Sequence, residues 1–475
     1  MLRLKIGDYV AGVSLPGHGG GAPTPCVWDS EKLINPHLII CGKTGTGKSY
    51  TLKKVFGGCA VQDVRVHVFD PHGDLNTDDP SQESVSVFSN KTQIGFNPLE
   101  VNTHEHTGGV RTTINYFISL LETVDRKLQV RQKNVLRSLL EELYANRGIT
   151  DEDPSSWAKK RITPSIRAQI IAEKKRSELR GYYPTLDDLI DFAAAKYQVV
   201  FGIGDSSNEN AKRTAFALKS LKTTYQKIRK IKSNLNKLND PELALEYTKL
   251  ENEIAVMRDD AKTNFSLFVD NITTGGETED MVNYEYKETF SSILIRLKDL
   301  KGSGIFSGNV PQFDESKKIW RYDIHYLPDP EKKLLVYYVM NKIFNLRRDM
   351  GPQDTVRDII VVDEAHKFME DDGTSIFNLI AKEARKFGLG LWCASQNPEH
   401  FSQDFLCSVG TKILLGVDPI LHPKVSQNWD ISKEELSRIV AKQTFSVYMD
   451  KNGAKNPRFQ LVSAQKPRNL QVVGG

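Results

Sequence analysis

The apolar positions along the chain fall into two rhythms. Short unbroken runs at 37–41, 358–363 and 389–395 read as buried strands, and 64–70, where Arg65 and His67 alternate with apolar residues, reads as a further strand. Between them the spacing changes to three and four. Ile114, Phe117, Leu120 and Leu121, then Val135, Leu139, Leu140 and Leu143, give helical period over 112–147. Further helices are expected over 286–300 and 334–346, the latter packing an amphipathic face on the sheet, and another runs on from the 358–363 strand to Phe387. At 184–189, PTLDDL starts a helix with Thr185 as N-cap and Asp188 at the capping-box position. Strands return at 411–416, 445–449 and 459–462. Buried strands alternating with helices predict an α/β fold, a sheet with helices on both faces.

Two stretches depart from this alternation. Residues 1–36 hold two short alternating segments separated by Gly17-His18-Gly19-Gly20-Gly21, which predicts a short N-terminal β arm or flap with a mobile turn. No helix follows that glycine patch, so it is not read as a phosphate loop. Residues 211–260 carry near-heptad spacing: Leu218, Leu221, Tyr225, Ile228, Leu235 and Leu238, then, after Pro241, Leu243, Tyr247, Leu250, Ile254 and Met257. An antiparallel helical hairpin is expected. The domain plan is then a β arm at 1–36, a core at 37–110 and 286–430, a helical insertion at 111–285, and C-terminal strands with a polar tail at 431–475. Gly275-Gly276 and its acidic neighbours read as the loop leaving the insertion.

Composition narrows the class. The 475 residues are enough for two or three domains, or for one large core with insertions. A net charge of +4 does not by itself argue for nucleic acid; its distribution matters more. The first hairpin arm is where basic residues concentrate: Lys212, Arg213, Lys219, Lys222, Lys227, Arg229, Lys230, Lys232 and Lys237 face few acids. Such an arm is either a phosphate-backbone surface or the solvated face of a coiled pair. Cys26, Cys41, Cys59, Cys393 and Cys407 are scattered with no C-x-x-C pair, which argues against zinc and a disulfide framework and for a reducing compartment. With no signal-like core and no run long enough to span a membrane, a cytoplasmic protein is expected.

The chemistry is concentrated after the first core strand. Gly42-Lys43-Thr44-Gly45-Thr46-Gly47-Lys48-Ser49 follows it at once and leads into a helical pattern, the context a Walker A loop requires. The glycines allow a tight turn with inward N–H groups, and the helix N-terminus adds partial positive charge. The cradle is expected to run from Gly42 through Ser49 to Tyr50, with Lys48 on the β- and γ-phosphates and the Ser49 hydroxyl on Mg²⁺. Its partner is Asp363-Glu364, at the end of the 358–363 strand. An Asp-Glu pair there can be a plain strand-to-helix cap. Opposite a Walker A loop, Asp363 is expected to hold Mg²⁺ and Glu364 to orient and deprotonate water. Gln396, after the next strand, offers an amide to sense the γ-phosphate or align that water. Asp70-x-x-Gly73 matches a GTPase switch pattern, but Asn236-Lys237-Leu238-Asn239 lacks the Asp of a guanine-reading motif, so ATP is favoured over GTP.

Taken in order, GKTGTGKS, FDPHGDL (69–75), FNPL (96–99), PTLDDL, VVDEAHKF (361–368), ARKFGLGLWCASQNP (384–398) and TKILLG (411–416) resemble the HerA group of the HerA/FtsK superfamily, hexameric RecA-like ATPases that pump DNA. The resemblance covers most of 37–420. It implies a RecA-like (ASCE P-loop) sheet, ATP and Mg²⁺ as cofactors, Lys48 and Ser49 on nucleotide and metal, Asp363 and Glu364 as the Walker B pair, and Gln396 as sensor. It also implies Arg385 as a finger reaching the next subunit's ATP site, although a surface helix residue is the plainer alternative. The implied whole is a homo-hexameric ring that translocates on or unwinds double-stranded DNA, beside a nuclease or other effector, with anti-phage defence as one setting. Two other readings stay open: an ATPase of conjugation or secretion, and a nucleotide-switched scaffold that assembles an effector. The family usually carries a full N-terminal β-barrel. With 36 residues before the core strand, a shortened or lost barrel is expected here.

Overall fold

The computed structural model describes residues 2–10, 24–124, 127–201, 209–238, 241–270, 287–369 and 375–464. Eleven strands form one sheet. In chain order they are β1 (Arg3–Tyr9), β2 (Pro25–Asp29), β3 (Leu38–Cys41), β4 (Arg65–Asp70), β5 (Glu83–Val87), β6 (Ile319–Asp323), β7 (Asp358–Val362), β8 (Leu389–Ser395), β9 (Thr411–Leu414), β10 (Thr444–Met449) and β11 (Gln460–Ser463). Their spatial order is β2-β1-β11-β10-β9-β3-β8-β7-β4-β6-β5. The seven strands from β9 to β5 are parallel. The four from β2 to β10 are antiparallel.

Alternation along the parallel strands sorts side chains onto two faces. Leu38, Ile40, Val66, Val68, Ile359 and Val361 share one core with Leu52, Val55 and Phe56 of the helix Lys48–Val61. Ile39, Cys41, Phe69, Ile360 and Val362 face the other core, against the helices Val110–Val124, Val130–Asn146, Lys287–Gly302 and Asp329–Asp349. Both faces are covered, which is why β3, β7 and β8 read as continuous apolar runs.

The N-terminal segment is integral to the sheet rather than a flap. Leu2, Leu4, Ile6 and Trp28 are buried in the Lys48–Val61 side core. Trp28 meets Trp392 edge-on at 5.6 Å and donates its ring N–H to Thr411 Oγ1 at 3.0 Å. The pairing that holds β1 in place, Tyr9 beside Val462, spans almost the whole chain.

The Thr185 cap is present as a reciprocal pair: Asp188 N–H donates to Thr185 Oγ1 and Thr185 N–H to Asp188 Oδ2. The hairpin consists of the helices Glu209–Leu238 and Pro241–Asp270, with a core of its own at Ala217, Leu221, Ile228, Leu250, Ile254 and Ala261. Leu218 and Tyr225 lie on the exposed flank, so the heptad reading places them on the wrong side of the seam. Leu235, Leu238 and Leu243, like the Gly275-Gly276 loop and the 465–475 tail, fall outside the described residues or side chains. The helix expected to reach Phe387 ends at Glu383 and tightens into a 3₁₀ turn, Ala384–Phe387. Gln353 N–H takes the Lys386 carbonyl and Arg357 N–H the Gly388 carbonyl, which draws the turn away from helical pairing.

Candidate functional site

Register decides what meets at the carboxyl edge of the sheet. Cys41 pairs with Ser395, and Val362 with Cys393. The segments that follow β3, β7 and β8 therefore emerge side by side, with β8 standing between the glycine loop and the Asp-Glu pair. Gly45 and Gly47 take left-handed φ of 83° and 104°, and a Cβ on either would point into open space. At Gly42 the limit is steric: a Cβ there would lie 2.5 Å from Thr46 Oγ1 and 2.9 Å from Leu415 Cβ. The loop is tied down by Gly42 N–H to the Ser395 carbonyl, Lys43 N–H to the Gly416 carbonyl and the Thr46 hydroxyl to the Lys43 carbonyl. Ser49 and Tyr50 stand in the first turn of the helix that leaves it, Tyr50 exposed.

Lys48, nine-tenths buried, points into the edge. Its Nζ lies 2.5 Å from Glu364 Oε1 and 3.8 Å from Asp363 Oδ1. Gln396 bridges the two sides: its amide donates to Glu364 Oε1 at 3.2 Å, and its carbonyl oxygen accepts the Thr44 hydroxyl at 3.3 Å. Lys48, Thr44, Asp363, Glu364 and Gln396 thus converge, from three segments spread over more than three hundred positions.

The two carboxylates differ. Burial pushes Asp363 up to about 6, against the opposing pull of the Lys48 ammonium and the Glu364 N–H. Burial is the largest single influence on Glu364 and raises it, yet the hydrogen bond and charge of Lys48 together with the Gln396 hydrogen bond and the nearby His366 hold the carboxyl below its usual range. Glu364 is held at φ 48°, a left-handed conformation that costs a non-glycine residue on the order of 1–3 kcal/mol. Its N–H donates to Asp363 Oδ1 at 2.9 Å, so the strain turns the two side chains into the same cleft. A buried acid that is hard to ionise beside a single ammonium suits a divalent cation, which would complete the charge balance. Of the two residues expected to hold it, Asp363 faces the Lys48 ammonium in the cleft and Ser49 stands next to that lysine in the first helical turn.

Next to the loop, a cavity of about 360 Å³ opens between the helix and the antiparallel strands. Ile6, Val55, Leu415 and Phe445 give it an apolar floor, and Gln443 and Thr444 a polar side. Sequence reasoning missed this compartment because Ile6 and Phe445 come from opposite ends of the chain.

Other expected residues lie elsewhere. Asp70 is fully buried and committed: its oxygens accept the N–H groups of His72, Gly73, Asp74 and Leu75 and one Arg321 N–H. It anchors the loop after β4, and the Gly73 N–H that a GTPase switch would aim at phosphate is spent on it. Arg385 is exposed on the turn before β8, close enough to His37 to help keep that imidazole neutral. That is the amino edge of the sheet, opposite Lys48. Three residues that no motif singles out, His366, Ser395 and His400, line the cleft behind Glu364. Only the DEAH spelling around Glu364 hinted at the first of them.

The strand order, with one strand between β3 and β7, and the glycine loop opening a helix define a RecA-like P-loop nucleotide-binding fold. Within that class the chain belongs to the family described as "Helicase HerA, central domain", which matches residues 16–261. The match contains the phosphate loop. Asp363 and Glu364 lie beyond it, and their association with the loop rests on the geometry. Over 84 residues the chain is 37% identical to the "DNA double-strand break repair helicase HerA" of Pyrococcus furiosus, covering 17% of this chain and 15% of that protein. Over 93 residues it is 34% identical to a "Probable DNA double-strand break repair helicase HerA" of Methanocaldococcus jannaschii, 19% of this chain and 18% of that one. These alignments thus span under a fifth of the relatives' length. Among solved structures, VirB4 of Thermoanaerobacter pseudethanolicus superimposes with a TM-score of 0.60 at 16% identity, over 98% of this chain and 96% of that one. At that identity the likeness is one of fold.

Proposed function

We propose that this chain is an ATP-hydrolysing motor subunit, one of six in a ring that moves along or unwinds double-stranded DNA and works with a nuclease or other effector. The observation that carries the ATPase part is the meeting of Lys48, Asp363, Glu364 and Gln396 at one sheet edge. ATP would lay its phosphates on the loop and its base in the apolar cavity beside Tyr50. Lys48 would leave Glu364 for the β- and γ-phosphates, freeing the carboxylate to orient water and take its proton. Gln396 would stay between Thr44 and Glu364, where it can report the γ-phosphate. Mg²⁺, held through Asp363 and Ser49, would supply charge neutralisation on the phosphates.

The DNA and ring parts draw on family membership, on the helicase names of the HerA relatives and on the basic hairpin arm. The VirB4 likeness is one of fold alone and does not move the reading towards conjugation or secretion. Among the described residues no helix is long and apolar enough to cross a membrane.

The test is ATP turnover of Lys48→Ala and Glu364→Gln, with native mass measured with and without ATP and duplex DNA. Lys48→Ala should lower turnover at least about a hundredfold. Turnover within a few-fold of the parent removes Lys48 from the chemistry. Glu364→Gln should bind ATP and stall; if it still activates an effector, nucleotide is an assembly switch rather than fuel.

A further inference from the structure

We propose that His366 is a positioning residue for Glu364, fixed by Ser395 and by the ring of His400, an inference that rests on Glu364 acting as the water-orienting base. The two oxygens of Glu364 have unlike surroundings. Oε1 is engaged by Lys48 and Gln396. Oε2 is buried and has no hydrogen-bond partner. Its neighbour is His366 Nδ1 at 3.3 Å, a polar contact that falls short of an aligned hydrogen bond. A buried carboxylate oxygen without a committed donor is costly unless something else uses it. Here the polar group nearest to it is the His366 ring, which faces it from the following turn.

His366 is not a loose surface ring. It lies on the 3₁₀ turn Ala365–Lys367 that follows Glu364, and its ring stacks on His400 with centroids 4.3 Å apart at 27°. Ser395, fully buried at the end of β8, places its Oγ 2.8 Å from His400 Nδ1 and 3.3 Å from His366 Nδ1. One assignment of protons satisfies the group: the Ser395 hydroxyl donates to His400 Nδ1, and His366 carries its proton on Nδ1, between Ser395 Oγ and Glu364 Oε2. Lys48, Lys367 and Glu399 are the other charges facing the two rings, and burial with the proximity of a second imidazole favours neutral His366. The stack therefore ties the turn bearing Glu364 to the turn bearing Gln396. It fixes the direction of Oε2 while Oε1 is held or released by Lys48.

The experiment measures ATP turnover and the affinity for a fluorescent ATP analogue. His366→Ala should lower kcat about tenfold or more while analogue affinity stays within about threefold, and His366→Asn, which keeps a donor, should recover part of the loss. Ser395→Ala should fall between them. Glu364→Asp draws the carboxylate back from His366, so adding His366→Ala to it should cost less than about twofold. The proposal is overturned if His366→Ala turns over within twofold of the parent, if analogue binding falls as far as kcat, or if His366→Ala costs as much beside Glu364→Asp as alone. Should Glu364→Gln turn over like the parent, the base assignment itself is wrong, a result separable from failure of the histidine alone.

Discussion

Two buried imidazoles record how far this sheet resists charge. Burial pushes His37 down to about 3 and His67 to about 4, with Arg385 and Arg65 among the cations that add to it. His37 Nδ1 accepts the Leu391 N–H, a role only the unprotonated nitrogen can fill. In the unfolded chain both rings titrate near the ordinary value, so between that value and the depressed one the unfolded chain binds more protons. Stability is therefore fully present above about pH 6.5 and is lost as pH falls through the window down to 3–4. At pH 5 each ring should cost on the order of 2 kcal/mol. Chemical denaturation from pH 7 to pH 5 should show this loss, and His67→Gln should flatten it even though its stability at pH 7 is lower. An unchanged slope would mean that His67 titrates normally. This behaviour was not legible in the sequence, where His37 and His67 are two polar letters inside apolar runs. Lys48, Asp363 and Glu364 were legible, because phosphate chemistry restricts which residue types can serve at such a loop and edge. His366 and His400 were not, since neither fills a position that a motif demands.

At the level of elements, β3, β7 and β8 announced themselves by continuous apolarity and the glycine loop by its spacing, whereas the parallel strands β5 and β6, Glu83–Val87 and Ile319–Asp323, mix charged and polar residues with apolar ones and were not legible. The antiparallel strands were legible as elements, but their pairing was not: β1 and β11 are ordinary alternating segments that join positions hundreds of residues apart. The hairpin falls between. Its period was plain, but among the described residues the two helices share a small core of their own, which needs only a narrow seam, and Leu218 and Tyr225 fall outside it. On its first arm Lys227, Arg229 and Lys232 are exposed, around the buried Ile228. If that face tracks a DNA backbone, replacing the three with Gln should weaken binding of any duplex sequence alike. It should also reduce the slope of log affinity against log salt by about 0.9 for each phosphate no longer neutralised. Leu221 and Ile254 stay untouched, so helicity should be kept. An unaltered salt slope would mark the arm as a solvated coiled face.

For the whole molecule, the decisive distance is the length of β8. Its seven residues span roughly 20 Å at about 3.3 Å each, with Arg385 before the strand and Gln396 after it. No arginine side chain crosses that distance, so Arg385 has no part in the ATP site of its own chain. Any catalytic role it has must be played on a neighbour, where a planar cation could neutralise charge on the transferred phosphoryl group. Arg385→Ala should then abolish turnover and leave ATP binding intact. Mixing it with Lys48→Ala separates a finger from a surface residue. Each parent is dead, but where an Arg385→Ala subunit offers its intact loop to a Lys48→Ala neighbour with its intact arginine, a complete site forms. In a closed ring with random subunit exchange, about a quarter of the interfaces have that order at equal mixing. Turnover should therefore peak near equal proportions and vanish at both ends. If subunits demonstrably exchange and no mixture recovers activity, Arg385 is not the trans element; if Arg385→Ala alone turns over normally, it is a surface residue.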